Sequence, residues 1–491
     1  MKTKNLLEVL QVKQIIGLLP EKIKSIQQDS RKVEEGSMFV CIKGYTVDGH
    51  NFIEEALERG ATTIVVEDNP GIHVKGASII LVPNTMKALA HLANKFYNYP
   101  SKQMDVIGVT GTNGKTSVSS LINKLLEGVG RKTALSGTNG MTVAGEVTAT
   151  SNTTCDILEN QKLFRDVAEQ GVEDVVMEVS SHGLAQGRVW GIDFNIAVFT
   201  NLTQDHLDYH QSMEQYGQTK GLLFAQLGND TARKKFAVLN SDDPWSKKYE
   251  YITPAEVVTY GILENANFKA KQIQYLEDKT VFTLESIEGE FSVETRLLGE
   301  FNVYNVLAAI ATLFVKGVHV SKAVALLRSI NPIEGRMEQI PIDAPIKVYL
   351  DYAHTPDAIR SSIASVAHLQ RNRLIYVAGT GGDRDKEKRP LMAQEASVAE
   401  VVILTINDVR NEDPQEILRG MEKGMQHKNY GMLADRKEAI EHAVEISEPG
   451  DILIIAGKGN EQYQITGTKK EHHSDKTVVT DCIKHKYNIP I

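Results

Sequence analysis

Three groups of residues in this chain have the types and spacing to carry chemistry. The first is Gly108-Val-Thr-Gly-Thr-Asn-Gly-Lys-Thr116, which continues the apolar run that starts at Asp105. A strand that runs through a loop of small residues into a helix aims backbone N–H groups and the helix N-terminus at phosphate oxygens. Gly111, Thr112, Asn113 and Gly114 form that loop, Lys115 is placed for the β- and γ-phosphates, and the Thr116 hydroxyl is placed for Mg²⁺. Val109 stands where the strict motif has its first glycine, so a tight strand-to-helix turn is the competing explanation. Strand, glycines, Lys and Thr in register favour a nucleoside triphosphate site.

The second group is Met177-Glu-Val-Ser-Ser-His-Gly-Leu-Ala-Gln-Gly-Arg188, together with Thr200-Asn-Leu-Thr-Gln-Asp-His-Leu-Asp-Tyr-His210. Glu178 ends an apolar strand, where a carboxylate is costly unless it is paired or binds metal. His206 follows the next apolar strand, and Glu178 and His206 are read as Mg²⁺ ligands beside Thr116. A single histidine in a loop is more often a hydrogen-bonded residue than a ligand. Placement at successive strand ends tips His206 the other way, and leaves His182 and His210 open.

The third group comprises Asp351-Tyr-Ala-His-Thr-Pro-Asp357, Gly379-Thr-Gly-Gly-Asp-Arg-Asp-Lys-Glu-Lys-Arg-Pro390, Asn407-Asp-Val-Arg-Asn-Glu-Asp-Pro414 and Gly457-Lys-Gly-Asn-Glu461. A dinucleotide fingerprint fails here because Arg384 takes the last glycine place. One polar loop at a strand end is ordinary, but four on successive strands of one sheet argue for a ligand site. Arg384, Lys388 and Arg410 offer cations for carboxylates, and Glu461 offers an anion for an ammonium group. That pairing suits a zwitterionic amino acid.

The elements that must position these residues alternate short apolar strands with amphipathic helices, the pattern of parallel sheets covered on both faces. Val118, Leu121, Ile122, Leu125, Leu126 and Val129 mark one face of the helix after the phosphate loop. Texture changes near the polar, proline-bearing Asn98–Gln103 and near Asn331–Arg336. These changes divide the chain into 1–100, 101–334 and 335–491. A length of 491 residues agrees with about three domains. The fold class expected is α/β in three domains, with a central P-loop ATPase-like parallel sheet and a C-terminal Rossmann-like domain.

Composition excludes other classes. Lys+Arg 54 against Asp+Glu 63 gives a net charge of −9, which argues against nucleic acid as the main partner. Cys41, Cys155 and Cys482 form neither a zinc spacing nor a disulfide framework, as expected of a reducing compartment. No apolar run approaches a membrane span, and the N-terminal residues lack the continuous apolar core of an export signal, so a cytoplasmic protein with no membrane partner is expected.

The order of GTNGKT, MEVSSHGLAQGRV, TNLTQDHLDYH, LLGEFNVYN, EGRMEQI, DYAHTPDA, GGDRDKEKRP and AGKGNEQYQ resembles the Mur ligases, most closely the MurE type. The resemblance extends to Asp29-Ser-Arg-Lys and to Lys43-Gly-Tyr-Thr-Val-Asp-Gly-His50. It implies a UDP-binding domain, a central ATPase and a domain for the incoming amino acid. The implied reaction adds meso-diaminopimelate to UDP-N-acetylmuramoyl-L-alanyl-D-glutamate in peptidoglycan synthesis, with ATP as co-substrate and Mg²⁺ as cofactor.

The resemblance assigns roles position by position. Lys115, Lys220, His206 and Glu178 match catalytic positions, and Lys220, in Tyr216-Gly-Gln-Thr-Lys220, matches a lysine the family carbamylates to N6-carboxylysine, a further metal ligand. On its own type and setting, Lys220 reads as an exposed helix lysine. Asn302, Asn305, Arg336 and Asp351 match the nucleotide side. Ser30 and His50 match the uridine end, and Thr153, Thr154, Ser180, Gln186 and Arg188 match contacts to the muramyl dipeptide. Arg384, Asn407, Asp408, Arg410, Gly457 and Glu461 match the amino-acid site.

Three positions depart from the family pattern. Cys155 replaces a proline after the paired threonines, and Asn460 replaces a histidine. The amino-acid selector, Asp-Asn-Pro-Arg in diaminopimelate-adding members, reads Asn407-Asp408-Val409-Arg410. Arg410 favours diaminopimelate, because a guanidinium can bind a distal carboxylate that lysine lacks. L-lysine or another amino acid is the alternative, as in a divergent paralogue. A folylpolyglutamate synthase type and a non-catalytic nucleotide sensor are further readings. The remaining implications are a monomer acting on small molecules, with a place in cell-wall growth and division.

Overall fold

In the computed structural model, residues 1–44, 47–69, 76–228, 233–369 and 371–489 are described. Their packing forms two compact units. One comprises Met1–Val109, Gly130–Ala197 and Ala225–Lys235, and the other Thr110–Val129, Val198–Phe224 and Phe236–Ile491.

The first unit opens with a five-stranded sheet. From one edge its strands are Gln14–Ile16, Ser78–Leu81, Ala61–Val66, Ser37–Val40 and Ser25–Gln27, parallel except for the first. Ile26, Met38, Val40, Val65 and Ile80 fill one face against Leu89, Leu92 and Ala93 of helix Thr85–Phe96. Phe39, Ile64, Val66 and Ile79 fill the other against Ile53 and Ala56. Both faces are buried, which is why these strands read as unbroken apolar runs. The same unit carries Asp105–Thr110 paired in parallel with Asp174–Glu178, which pairs in parallel with Thr133–Gly137. An antiparallel extension, Gly140–Val143 and Glu146–Thr148, completes this run.

In the second unit, helix Lys115–Gly128 buries Val118, Leu121, Ile122, Leu125 and Leu126 completely, while Val129 is its half-buried cap. It packs against Glu300–Val315, a helix apolar on nearly every side, as a helix enclosed in protein must be. Strands Phe236–Asn240, Glu256–Gly261 and Phe268–Tyr275 run parallel. The antiparallel pair Thr280–Ser286 and Gly289–Thr295 follows. The all-parallel expectation therefore holds for the strands that carry loops of interest and gives way to antiparallel hairpins beyond them.

A six-stranded sheet completes the unit, in the order Glu338–Gln339, Lys347–Asp351, Ile452–Ala456, Leu374–Gly381, Val401–Asp408 and Tyr430–Met432. All strands but the first are parallel, so Asp351, Gly381, Asp408 and Ala456 end on one side. Four of the helices that follow are started by a polar cap, while Lys388–Ala396 has no side-chain cap. Thr355 Oγ1 accepts the Ala358 N–H, Asp413 accepts from Gln415, Asp435 from Glu438 and Ser474 from Thr477. Each such cap contributes about 1 kcal/mol. Among the described residues no helix is long and apolar enough to cross a membrane.

Candidate functional site

The phosphate loop lies in the second unit, and its polar groups are tied to two other segments. Asn113 N–H donates to Asn201 Oδ1 at 3.0 Å, and Thr112 Oγ1 meets Tyr216 Oη at 3.2 Å. The Asn113 amide donates to Asp357 Oδ2 at 3.2 Å and accepts from Thr355 Oγ1 at 3.4 Å. Gly111 and Gly114 have positive φ. A Cβ on Gly111 would collide with Thr200 Oγ1, and one on Gly114 would press on Asn305 Oδ1. Asn305 therefore abuts the loop, and its amide donates to Asn302 Oδ1 at 2.9 Å.

Two lysines converge on one carbonyl of this loop. Lys115 Nζ donates to Gly111 O at 3.0 Å and to Thr112 O at 2.8 Å, and Lys220 Nζ donates to Gly111 O at 2.7 Å. Lys220 lies 4.5 Å above the Tyr216 ring and is 1% exposed, which corrects the reading of an exposed helix lysine. Burial and the neighbouring Lys115 charge hold its ammonium well below the usual lysine range, against a smaller opposing pull from Asp205. Tyr216 stands four residues earlier on the same helix, a spacing that could have revealed the pair.

Arg336 and Asp351 lie beside the loop. Arg336 donates to Thr116 Oγ1 at 3.0 Å and its guanidinium lies 4.3 Å over the Tyr352 ring. Burial pushes the Asp351 carboxyl up to about 6, although Arg336 and the Met337 and Tyr352 N–H groups oppose the shift. His206 has a left-handed backbone and its Nε2 lies 3.4 Å from Asp205 Oδ2. Asp205 itself is buried. Lys388 Nζ at 2.9 Å, His206 and His354 overcome its desolvation and hold it well below the usual carboxylate range. Lys388, read from sequence as a cation for a substrate anion, is thus an internal partner of Asp205. His210 is buried against Tyr216, with ring centres 5.1 Å apart.

Four strand-end loops of the six-stranded sheet form one polar cluster. Lys458 Nζ bridges Asp408 Oδ1 at 3.1 Å and Glu461 Oε2 at 2.8 Å, and Tyr352 Oη donates to Glu461 Oε1 at 3.0 Å. Arg410 has φ 54°, its N–H donates to Ile465 O at 3.0 Å, and its Nε–H is buried without a hydrogen-bond partner. Desolvation and the nearby Arg384 charge lower its affinity for its proton. Asn407 Oδ1 accepts from Arg436 at 2.7 Å, and Cβ atoms on Gly379 or Gly457 would strike Asn407. Arg389 grips Glu412 through two bonds of 2.7 and 2.8 Å, joining the 379–390 and 407–414 loops. Neither Lys458 nor Arg436 was singled out by sequence. Lys458 lay inside a quoted glycine motif, but its partners are set only by the fold.

The first unit gathers another set. Glu178 is buried at its strand end and accepts from Thr138 N–H at 3.1 Å and Thr138 Oγ1 at 3.3 Å. Only a glycine fits at position 137, where a Cβ would overlap Glu178 Oε1. Thr138 Oγ1 meets Thr153 Oγ1 at 3.2 Å, and Thr154 Oγ1 donates to Glu178 O at 2.9 Å. Ser180 caps the helix Ser181–Ala185 through Gly183 N–H. Arg188 donates to Thr154 O at 3.0 Å and to Gln186 Oε1 at 2.6 and 2.9 Å. Thr153, Thr154, Ser180, Gln186 and Arg188 are therefore neighbours around one strand end. Cys155 is buried, and burial pushes its thiol up to about 12. Ser30 Oγ donates to Glu55 at 2.8 Å, and His50 Nδ1 lies 2.7 Å from Asp48. Tyr45 and Thr46 of the Lys43–His50 motif lie outside the described residues.

Among the described residues no three His, Cys, Asp or Glu side chains stand together as a closed metal cage. Thr116 and Glu178 carry oxygen donors, the type Mg²⁺ prefers, and Mg²⁺ commonly fills its other positions with waters and nucleotide phosphate oxygens.

Fold and loops thus define an α/β nucleotide-binding protein whose phosphate loop shares a compact unit with a Rossmann-like sheet. Family models match along the chain. They are the Mur ligase family catalytic domain over 22–97, the Mur ligase middle domain over 109–313 and the Mur ligase glutamate ligase domain over 335–459. The chain is 50% identical over 484 residues to UDP-N-acetylmuramyl-tripeptide synthetase 2 of Oceanobacillus iheyensis, covering 98% of each. It is 45% identical over 469 residues to UDP-N-acetylmuramoyl-L-alanyl-D-glutamate–2,6-diaminopimelate ligase of Geobacillus kaustophilus, covering 94% of this chain and 95% of that protein. A solved structure of a ligase of the same name matches with a TM-score of 0.69 and 34% identity, covering 98% of this chain and 99% of the other. The chain belongs to the Mur ligase family and has its three-domain fold.

Proposed function

We propose that this chain is an ATP-dependent amide ligase that joins meso-diaminopimelate to UDP-N-acetylmuramoyl-L-alanyl-D-glutamate. The observation that carries the reading is the direct contact of the phosphate loop with the segment bearing the amino-acid loops. Arg336 touches Thr116, and Thr355 and Asp357 touch Asn113. A carboxylate is a poor electrophile. Transfer of the γ-phosphoryl group of ATP to the D-glutamyl side-chain carboxylate gives an acyl phosphate and ADP. The incoming amine then attacks the carbonyl carbon, and phosphate leaves as the amide forms.

In this reading Gly111 to Thr116 cradle the triphosphate and Lys115 leaves its loop carbonyls for phosphate oxygens. Asn302, Asn305, Arg336 and Asp351 serve the nucleotide. Mg²⁺, when bound, neutralises charge on the transferring phosphoryl group. Thr116, Glu178 and His206 are its proposed ligands. Lys220 is proposed to be carbamylated. The neutral amine is the form that reacts with CO₂, burial and the Lys115 charge shift Lys220 toward that form, and the carbamate would give the oxygen donor that Mg²⁺ prefers. Ser30 and His50 take the uridine end, and Thr153, Thr154, Ser180, Gln186 and Arg188 the muramyl dipeptide. Arg384, Asn407, Asp408, Arg410, Gly457 and Glu461 line the amino-acid site, with Arg410 on the distal carboxylate. The division 1–100, 101–334 and 335–491 assigns one domain to each ligand. We further propose a cytoplasmic, monomeric enzyme of cell-wall growth and division, a reading that the small-molecule, nucleotide-linked substrates support only for its cytoplasmic setting.

The test supplies ATP, Mg²⁺, the UDP-linked dipeptide and an equimolar mixture of meso-diaminopimelate and L-lysine, and reads the product by mass. Incorporation of diaminopimelate alone is expected. Equal incorporation of lysine would overturn the role of Arg410, and no ATP turnover with any acceptor would return the chain to a nucleotide sensor.

A further inference from the structure

The amino-acid cluster contains a charge that works against its proposed task. Asp408 Oδ2 lies 4.0 Å from a guanidinium nitrogen of Arg410. An uncompensated carboxylate there would compete with a substrate carboxylate for the same cation. Arg410 nevertheless keeps its buried Nε–H unpaired, so Asp408 does not satisfy it. Asp408 is instead turned toward Lys458 Nζ and the Ile465 N–H, at 3.1 and 3.0 Å on one oxygen.

Lys458 is completely buried, and a buried ammonium persists only when anions surround it. Its second anion is Glu461, the carboxylate positioned for a substrate ammonium. A single cation thus fixes the acidic members of both ends of the site. Three bonds from backbone N–H groups, one to the Asp408 carboxylate and two to backbone carbonyls, hold the geometry from the other side. Ile465 N–H donates to Asp408, Arg410 N–H to Ile465 O, and Gly467 N–H to Arg410 O. These bonds attach the 407–410 loop to the hairpin of Tyr463–Thr466 and Lys469–His472.

We propose that Lys458 is a positioning residue for the amino-acid site. It neutralises Asp408 and draws it away from Arg410, leaving the guanidinium open to a substrate carboxylate, and it orients Glu461 for the substrate ammonium. This rests on the ligase reading above and goes beyond it, because Lys458 itself touches no substrate.

The experiment compares four proteins: wild type, Lys458→Met, Asp408→Asn and Asp408→Asn/Lys458→Met. KM is measured for meso-diaminopimelate, ATP and the UDP-linked dipeptide, and melting is recorded for each. Lys458→Met frees Asp408 to close on Arg410, and the KM for diaminopimelate rises about tenfold or more while that for ATP stays within about twofold. Discrimination against lysine falls in the same variant, since lysine has no distal carboxylate to lose. With Asp408 already neutral, the same Lys458→Met change removes only the Glu461 contact, so the diaminopimelate KM rises by less than about threefold, well short of the rise seen with Asp408 present. This second comparison leaves no unpaired Asp408 carboxylate, so it remains readable should Lys458→Met alone fail to fold. A rise in all three KM values together, or an equal effect of Lys458→Met with and without Asp408, would overturn the proposal. A wild-type protein that ligates no diaminopimelate would instead overturn the ligase reading, before any variant is compared.

Discussion

Replacing Arg436 with Met should destabilise the six-stranded-sheet region severely at neutral pH and progressively less in acid. Arg436 is fully buried. It binds Asp475 through two bonds of 2.8 and 2.6 Å, the side-chain Oδ1 of Asn407 at 2.7 Å and Ala456 O at 2.9 Å. Removing one partner of a buried pair costs about 3–5 kcal/mol, because the other charge is left without compensation. Asp475 keeps the His473 ring nitrogen at 2.8 Å.

The acid dependence follows from Asp475. Burial alone would raise its pKa, but Arg436, with help from His473, outweighs this and brings it from 3.8 to about 2. A depressed carboxyl pKa contributes stability above the unfolded value that is lost as pH falls through the folded value. Here the contribution is on the order of 2–3 kcal/mol above pH ~4, lost toward pH ~2. In the variant the desolvated carboxyl titrates above 3.8, so acid relieves its burial. The gap between the proteins should therefore be widest near pH ~7 and narrow toward pH ~4. Differential scanning calorimetry across that range reads the gap directly, with about 2–4 °C of melting shift expected per kcal/mol for a domain of this size. An equal melting temperature at neutral pH, or a gap that widens in acid, would refute the reasoning.

Two further outcomes follow from the nucleotide side. Lys220→Arg keeps a cation but cannot form a carbamate, and turnover should fall by at least about a hundredfold. Wild-type activity should drop on removal of CO₂ and return with bicarbonate, with isotope-labelled bicarbonate giving a carbamate signal by NMR that Lys220→Arg lacks. Unchanged wild-type activity after CO₂ removal would refute the modification. For Asp351, burial raises the folded carboxyl from 3.8 to about 6, so its ionisation costs stability above that pH and nothing below the unfolded value. Asp351→Asn should therefore stabilise the fold by up to about 3 kcal/mol at pH ~8 but not at pH ~4, read as a higher melting temperature, while weakening ATP binding. Equal melting of the two proteins at pH ~8 would show that the surrounding N–H groups and Arg336 fully solvate the charge.

What could be read from sequence was whatever depends on neighbours along the chain. The phosphate loop was legible because strand, glycines, Lys115 and Thr116 are contiguous, and a helix must start where Lys115 stands. Glu178 was legible because a carboxylate ends an apolar strand. Lys220 was not, because helix Met213–Ala225 mixes polar and apolar residues with little periodicity, and burial there is imposed by the loop that Lys220 reaches. The pairing of Lys388 with Asp205 joins residues that look like solvated charges in their own segments, and their burial appears only when the segments meet. Val409 shows the opposite case. Loss of the family's proline put the shape of the 407–410 loop in question, yet the loop's conformation comes from bonds to residues 465 and 467. A proline would restrict that loop locally; here the hairpin restrains it from outside, and the restraint reaches the site through Asp408. The selector's own residues are thus held by partners outside it, Asp408 by Lys458 and Asn407 by Arg436. These two fix the flanking carboxylate and amide, and neither lies in the four-residue selector.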